Sequence, residues 1–118
     1  MKKIEAYLKP FRLAETRDAL AEARFDVIRV HAAEEIRPAE AYTEVVQGME
    51  YERDVVPRAL IVLLVEDGDL DEAIQVIQGV ARTDHRGDGR IVVTNVELIT
   101  AVNPQDAPDS EIPGRHVG

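Results

Sequence analysis

Residues Ala59 to Val65 form an unbroken run of seven apolar side chains, Ala-Leu-Ile-Val-Leu-Leu-Val. Successive side chains of a strand point to opposite faces, so this run presents apolar surface on both. It therefore belongs in the middle of a sheet covered on at least one face. It is too short to cross a bilayer as a helix, which takes about 20 apolar residues. It must also be buried without cross-links, because the 118 residues include no Cys. A disulfide framework, a thiolate zinc site and a thiol nucleophile are excluded together. A chain of this length hides roughly two-thirds of the surface its unfolded form exposes, enough for one domain with its own core. The N-terminus, Met-Lys-Lys-Ile-Glu, carries charge at once, so no signal peptide is expected and the protein is expected to be cytoplasmic.

Around that run the periodicities change in a repeated order. Lys3 to Leu8 alternates, with Ile4, Ala6 and Leu8 on one side, and Pro10 ends the strand. Leu13 to Arg24 spaces Leu13, Thr16 (through its methyl), Leu20 and Ala23 three and four apart and predicts an amphipathic helix. Phe25 to Ala32 is strand-like, with Val27, Ile28 and Val30 suited to a pleated surface. From Ala33 to Val56 the periodicity fails and Pro38 and Gly48 interrupt it, which reads as a long functional loop over residues 33–56. Arg58 to Glu66 is the next strand. Asp67-Gly68-Asp69 is a turn, and Asp69 with Glu72 resembles a capping box opening a helix over 70–82, whose stripe is Leu70, Ala73, Ile74, Ile77 and Ala81. Ile91 to Thr100 is the last strand.

The order β-α-β, loop, β-α-β predicts a ferredoxin-like split βαβ unit of class α+β: a four-stranded antiparallel sheet with both helices on one face. The uncovered face then needs other subunits, so an oligomer is expected. The domain takes residues 1–102. Residues 103–118, with Pro104, Pro108 and Pro113, read as a flexible extension.

Fourteen Lys and Arg against 23 Asp and Glu give a net charge of −9, which argues against nucleic-acid and membrane-surface roles. Arg82, Arg86 and Arg90 gather with His85 around Gly87-Asp88-Gly89, which makes that stretch the expected place for a small anion. Its glycines let backbone N–H groups approach a phosphate, and arginine offers a bidentate fork. His31, His85 and His116 lack metal-site spacing, and no Ser, Cys or His nucleophile with a partner base is visible, so neither a metal nor catalytic residues are expected.

Three stretches resemble the PII signal-transduction family, in that family's order. They are Lys2-Lys3-Ile4-Glu5-Ala6-Tyr7-Leu8-Lys9-Pro10-Phe11-Arg12-Leu13; the middle segment with Thr43-Glu44, Gly48, Glu50-Tyr51, Asp54 and Pro57; and Thr83 through Ile91, similar to Thr-Gly-x-x-Gly-Asp-Gly-Lys/Arg-Ile. The resemblance implies a non-enzymatic homotrimer with no prosthetic group and with adenine nucleotides between subunits. Adenine would lie near Ile28, Arg29, Leu63 and Leu64, and phosphates near Arg58, Gly87, Asp88, Gly89 and Arg90. The 37–54 segment would be a T-loop docking on a target protein, a transporter or an enzyme, and Tyr51 sits where some members are nucleotidylated.

Against the nitrogen-sensing members the chain departs at several places. Asp84 replaces a glycine, the 35–41 stretch lacks glycines and a glutamine, Arg58 stands for a lysine, Val62 for a carboxylate, and Ala101 and Asn103 for a basic pair. The resemblance therefore implies ADP or AMP in preference to ATP. Bicarbonate at Arg58 and Arg90 is the expected co-ligand, as in the branch associated with carboxysomes and bicarbonate transport. The alternative is a nitrogen regulator responding to ATP and 2-oxoglutarate.

Overall fold

The computed structural model describes residues 1–38, 41–83 and 87–106. Its strands are β1 (Lys2–Leu8), β2 (Val27–Ile36), β3 (Tyr42–Val46), β4 (Met49–Arg53), β5 (Val55–Val65) and β6 (Gly89–Asn95), and its helices are α1 (Leu13–Glu22) and α2 (Leu70–Ala81). The main sheet has the order β2-β5-β1-β6 and is antiparallel throughout, while β3 and β4 form a separate two-stranded ribbon. This is the expected ferredoxin-like α+β arrangement.

The apolar run lies in β5, paired on one side to β1 (Ile4 opposite Leu63, Ala6 opposite Ile61) and on the other to β2. Ile4, Ala6, Leu8, Ile61, Leu63 and Val65 share one face and form a single buried cluster with Leu20, Phe25, Ala73, Ile77 and Ala81. Both helices therefore pack on that face. Thr16 is buried in α1 because its methyl packs and its hydroxyl donates 2.7 Å to the Arg12 carbonyl. The helix ends in a Schellman motif: the Phe25 N–H donates to the Leu20 carbonyl (2.8 Å) and the Arg24 N–H to that of Ala21 (3.0 Å), with Arg24 at φ +68°. That left-handed residue turns Phe25 back into the core beside Leu20.

The opposite face carries Lys3, Glu5 and Tyr7 of β1, Arg58, Leu60, Val62 and Leu64 of β5, Arg29, His31, Ala33 and Glu35 of β2, and Arg90, Val92 and Thr94 of β6, as the registers dictate. No helix covers it among the described residues.

Four local expectations are corrected. The 33–56 segment is not an irregular loop: β2 runs on to Ile36, opposite Val55, and residues 42–53 close into the β3–β4 ribbon. Gln47 and Gly48, at φ +52° and +80°, make the two-residue turn whose twist suits a hairpin. β5 starts at Val55, ahead of Pro57. This is tolerated because β1 pairs β5 only as far as Ala59, leaving one flank there with no need for a donor. The capping box is absent: Asp69 is in the αR region without a side-chain cap, because a 3-10 turn over Asp67–Asp69 leads directly into α2. The last strand stops at Asn95, where its partner β1 runs out at Lys2; the Val96 N–H still reaches the Met1 carbonyl at 3.1 Å. Of the expected C-terminal extension, residues 103–106 form a hydrogen-bonded turn, Asp106 N–H to Asn103 carbonyl 3.0 Å, and 107–118 lie outside the described residues.

Phe25 is 1% exposed at the junction of α1, β2 and the sheet. Phe25→Ala is expected to lower the unfolding free energy by about 3–5 kcal/mol, the usual range for an aromatic cavity. Urea titration followed by circular dichroism checks this, with an unchanged midpoint counting against the core assignment.

Candidate functional site

The Gly87-Asp88-Gly89 stretch enters β6 along a path that only glycine can follow. Gly89 has φ +122°, and a Cβ placed on it would sit 1.7 Å from the carbonyl oxygen of Tyr7. Gly87 is also left-handed, at φ +78°. Between them Asp88 turns its carboxylate back toward the end of α2. It accepts the Thr83 N–H at 2.7 Å, takes a short hydrogen bond from the Thr83 hydroxyl, and pairs with Lys9 Nζ at 3.3 Å. These donors, the Thr83 hydroxyl foremost, then its N–H and Lys9, hold the Asp88 carboxyl below the usual carboxylate range. Asp88 is thus a clasp that ties the entry to β6 to Thr83, just past α2, and to Lys9, just past β1.

Next to this clasp, three guanidinium groups converge on one carboxylate. Glu35 is 7% exposed; its Oε2 lies 3.0 Å from Nη2 of Arg90 and 3.4 Å from Nη1 of Arg37, and its Oε1 lies 3.4 Å from Nε of Arg58. Arg58 is 2% exposed, whereas the Arg90 side chain is 56% exposed and reaches over the end of β1 from the far edge of the sheet. Strand alternation explains the meeting: Glu35 and Arg58 share the helix-free face of β2 and β5, and Arg90 shares it on β6. The pairing is incomplete. Glu35 Oε1, Arg58 Nε and Arg58 Nη2 are buried with no hydrogen-bond partner.

A cleft of about 500 Å³ opens beside the clasp, lined by Tyr7, Gln78, Arg82, Asp88, Gly89 and Arg90 among others. A second cleft of about 550 Å³ is lined by Lys3, Ile28, Arg29, Leu64 and the 94–98 segment. Arg58 and Leu64 are six residue steps apart on β5, which is about 20 Å along a strand. The expected phosphate residues Arg58, Gly87, Asp88, Gly89 and Arg90 are therefore brought together at one end of the sheet. The expected adenine residues Ile28, Arg29 and Leu64 are brought together at the other. The Leu63 side chain joins neither set, being fully buried on the helix face. A β-bulge at Ile28, between the pairs Val27/Leu63 and Arg29/Val62, interrupts the ladder beside Leu64.

The family model described as nitrogen regulatory protein P-II matches residues 1–106. The chain belongs to the P-II family. It is 40% identical over 102 residues to the nitrogen regulatory protein P-II of Azospirillum brasilense, covering 86% of this chain and 91% of that protein. It is 41% identical over 97 residues to the protein of the same name from Rhodospirillum rubrum, covering 82% and 87%. To nitrogen regulatory protein P-II 1 of Escherichia coli K12 it is 33% identical over 112 residues, covering 95% and 100%. P-II proteins are regulatory signal transducers rather than enzymes.

Other expected positions of this P-II chain fall as follows. Tyr51 is exposed on β4, opposite Glu44, with its hydroxyl 3.9 Å from the Met49 sulfur. His31 is exposed on β2; Asp84, His85, Arg86 and His116 lie outside the described residues. Among the described residues no group of His, Asp and Glu is placed to hold a metal ion, and no helix is long and apolar enough to cross a membrane. Sequence reasoning passed over Glu35, Arg37, Lys9 and Thr83 as site residues. For Glu35 a signal existed: carrying the two-residue alternation of Arg29, His31 and Ala33 one step further sets it on the face of Arg58.

Two outcomes follow for this end of the sheet. Gly89→Ala forces a backbone clash and is expected to cost at least about 2 kcal/mol, whereas Gly48→Ala, left-handed but in open space, is expected to cost about 1 kcal/mol. Thermal unfolding of both variants checks the contrast; equal losses would mean that Gly89 makes no close approach. Because folding lowers the Asp88 pKa, its clasp is fully present above the unfolded carboxylate value and is lost as pH falls through the lower folded value. Amide exchange at Thr83, corrected for intrinsic rate, should lose protection at acid pH in the wild type and at every pH in Asp88→Ala, which has no side-chain acceptor.

Proposed function

We propose that this P-II family regulator binds adenine nucleotides in clefts between copies of the chain and reports their occupancy through the β3–β4 ribbon to a target protein. The observation carrying the proposal is the separation of the two candidate sets: residues suited to a base and residues suited to phosphates stand at opposite ends of one sheet. A neighbouring copy supplies the missing half. The helix-free face, with Leu60, Val62 and Leu64, gives a reason for copies to associate, and a homotrimer is the arrangement proposed from the family.

Within this reading, ADP or AMP is preferred to ATP. Arg58 and Arg90 already share their charge with Glu35, Val62 brings no polar group, and Ala101 and Asn103 add no cations near the last strand. A triphosphate would meet fewer uncommitted cations than it needs. The planar forks of Arg58 and Arg90 match a small carboxylate-like ion, so bicarbonate is the proposed co-ligand. The names of the relatives favour a second reading, a nitrogen-regulatory protein; ATP and 2-oxoglutarate are the ligands proposed for it. Target docking through the 37–54 segment, and modification of the exposed Tyr51, belong to either reading.

Light scattering should give about three times the 13.1 kDa chain mass, with a monomer overturning the shared site. Calorimetric titration with AMP, ADP and ATP should favour the first two, and Arg90→Ala should weaken ADP by about 1.5–3 kcal/mol, as for a charge-assisted hydrogen bond. Replacing chloride by bicarbonate at fixed pH and ionic strength should tighten ADP, and ADP should tighten bicarbonate by the same factor. Tightening of ATP by 2-oxoglutarate instead would establish the nitrogen-type reading.

A further inference from the structure

We infer that the Glu35 carboxylate is a displaceable internal anion of the Arg58–Arg90 pair, and that an incoming phosphate- or carboxylate-class oxyanion replaces it and thereby loosens the root of the ribbon. The inference rests on the reading above that Arg58 and Arg90 form the anion subsite, and adds how that subsite is regulated.

The geometry is that of a guest, not of a permanent strut. A settled arginine–carboxylate pair is a fork, with two parallel N–H···O bonds at about 2.7–2.9 Å. Here the contact with Arg58 is a single 3.4 Å approach that meets no hydrogen-bond geometry, leaving Arg58 Nε, Arg58 Nη2 and Glu35 Oε1 all unpartnered and buried. Glu35 is the one ion-pair partner that Arg58 and Arg90 have among the described residues. Arg58 and Arg90 thus share one carboxylate, whose hydrogen bonds come from Arg90 at 3.0 Å and Arg37 at 3.4 Å and not from Arg58. A phosphate or bicarbonate presents more oxygens than this carboxylate, and a free oxyanion of either class, not tethered to β2, can align with both forks. Arg90, half-exposed and beside the open cleft, gives it a way in.

Displacement has a direction. Glu35 lies one residue before the end of β2, and the ribbon is rooted there by the Ile36–Val55 pair and by the Arg37 N–H donating 2.6 Å to the Asp54 carbonyl. When Glu35 leaves the arginines, this end of β2 loses its ion pair to Arg90 of β6, three strands away. The ribbon beyond it, whose side chains are almost all exposed, has little else to hold its angle.

The test uses the full chain, wild type and Glu35→Gln, titrated with inorganic phosphate in exchange for chloride at fixed ionic strength and pH. Phosphate affinity is read by calorimetry and the ribbon root by hydrogen exchange at Arg37, whose N–H bonds to the Asp54 carbonyl. In the wild type, phosphate should speed exchange at that amide. In Glu35→Gln, exchange should already be fast and indifferent to phosphate, and phosphate should bind about tenfold tighter, equivalent to ~1.4 kcal/mol. Phosphate bound no more tightly by the variant, wild-type exchange unmoved at saturation, or no phosphate binding by either form overturns the inference. Should Glu35→Gln fail to fold, Glu35→Asp carries the test: its carboxylate stands one methylene short of Arg90, so it too must bind phosphate more tightly than the wild type. A parallel ADP titration separates the two readings. ADP bound normally without any effect of Glu35 ends this inference alone, whereas no ADP binding with the phosphate response intact ends the nucleotide reading alone.

Discussion

The fold hangs on β5. It is the longest strand among the described residues and, like β1, is paired on both sides; its side chains face the helices at Ile61, Leu63 and Val65 and the opposite surface at Leu60, Val62 and Leu64. The first set is satisfied within the chain. The second is not, apart from Val62, which is screened by its long cross-strand neighbours Glu5 and Arg29. A strand apolar on both faces therefore does two things at once: it nucleates the core and leaves a surface that favours other copies. The separation of the two candidate ligand sets along this strand makes association part of the chemistry. On the proposed reading, one chain offers a place for a base at one end of the sheet and a place for phosphates at the other, and a neighbouring copy brings the two together.

The same strand determines where charge can be buried. β1 stops at Leu8, so beyond Ala59 the β5 strand keeps its pairing to β2 but loses its other flank, and Arg58 emerges at that corner. The glycine passage into β6 places Arg90 at the matching corner on the other side of β1. Gly89 crosses the Tyr7 carbonyl too closely for any side chain, and the Asp88 clasp to Thr83 and Lys9 holds the approach in shape. The end of a short strand thus becomes a cationic recess in a chain of net charge −9.

Much of this was legible before the coordinates. One-sided burial leaves a periodicity from which β1, α1 and α2 are legible within a few residues; β5 is legible from its unbroken apolar run, and the Gly87-Asp88-Gly89 segment from its turn residues. The ribbon was not legible in the same way. Its strands bury almost nothing, so Tyr42, Glu44 and Val46 alternate with Thr43 and Val45 without sorting apolar from polar residues, and Pro38 and Gly48 looked like interruptions. The boundary of β6 was missed for a different reason: Val96 to Thr100 has strand-like residues, and only the length of β1 decides that pairing ends at Asn95. Arg58 and Arg90 were found as a pair, but the carboxylate between them was hidden by ending β2 at Ala32.

That carboxylate changes how the arginines are understood. Taking a guanidinium out of water costs several kcal/mol, and a partner repays it only with good geometry and full hydrogen bonding. Arg58 has neither, with two donors unpartnered and one distant carboxylate oxygen, so the cluster is a poor device for stability. A leucine or methionine at position 58 would continue the apolar face of β5 without that cost. What the buried cation does offer is field: in a recess shielded from solvent, charge acts more strongly than at the surface, where salt and water screen it. An arginine held there with unspent donors, next to a half-exposed second arginine, is arranged to receive an anion. Glu35 keeps the recess partly neutral until one arrives.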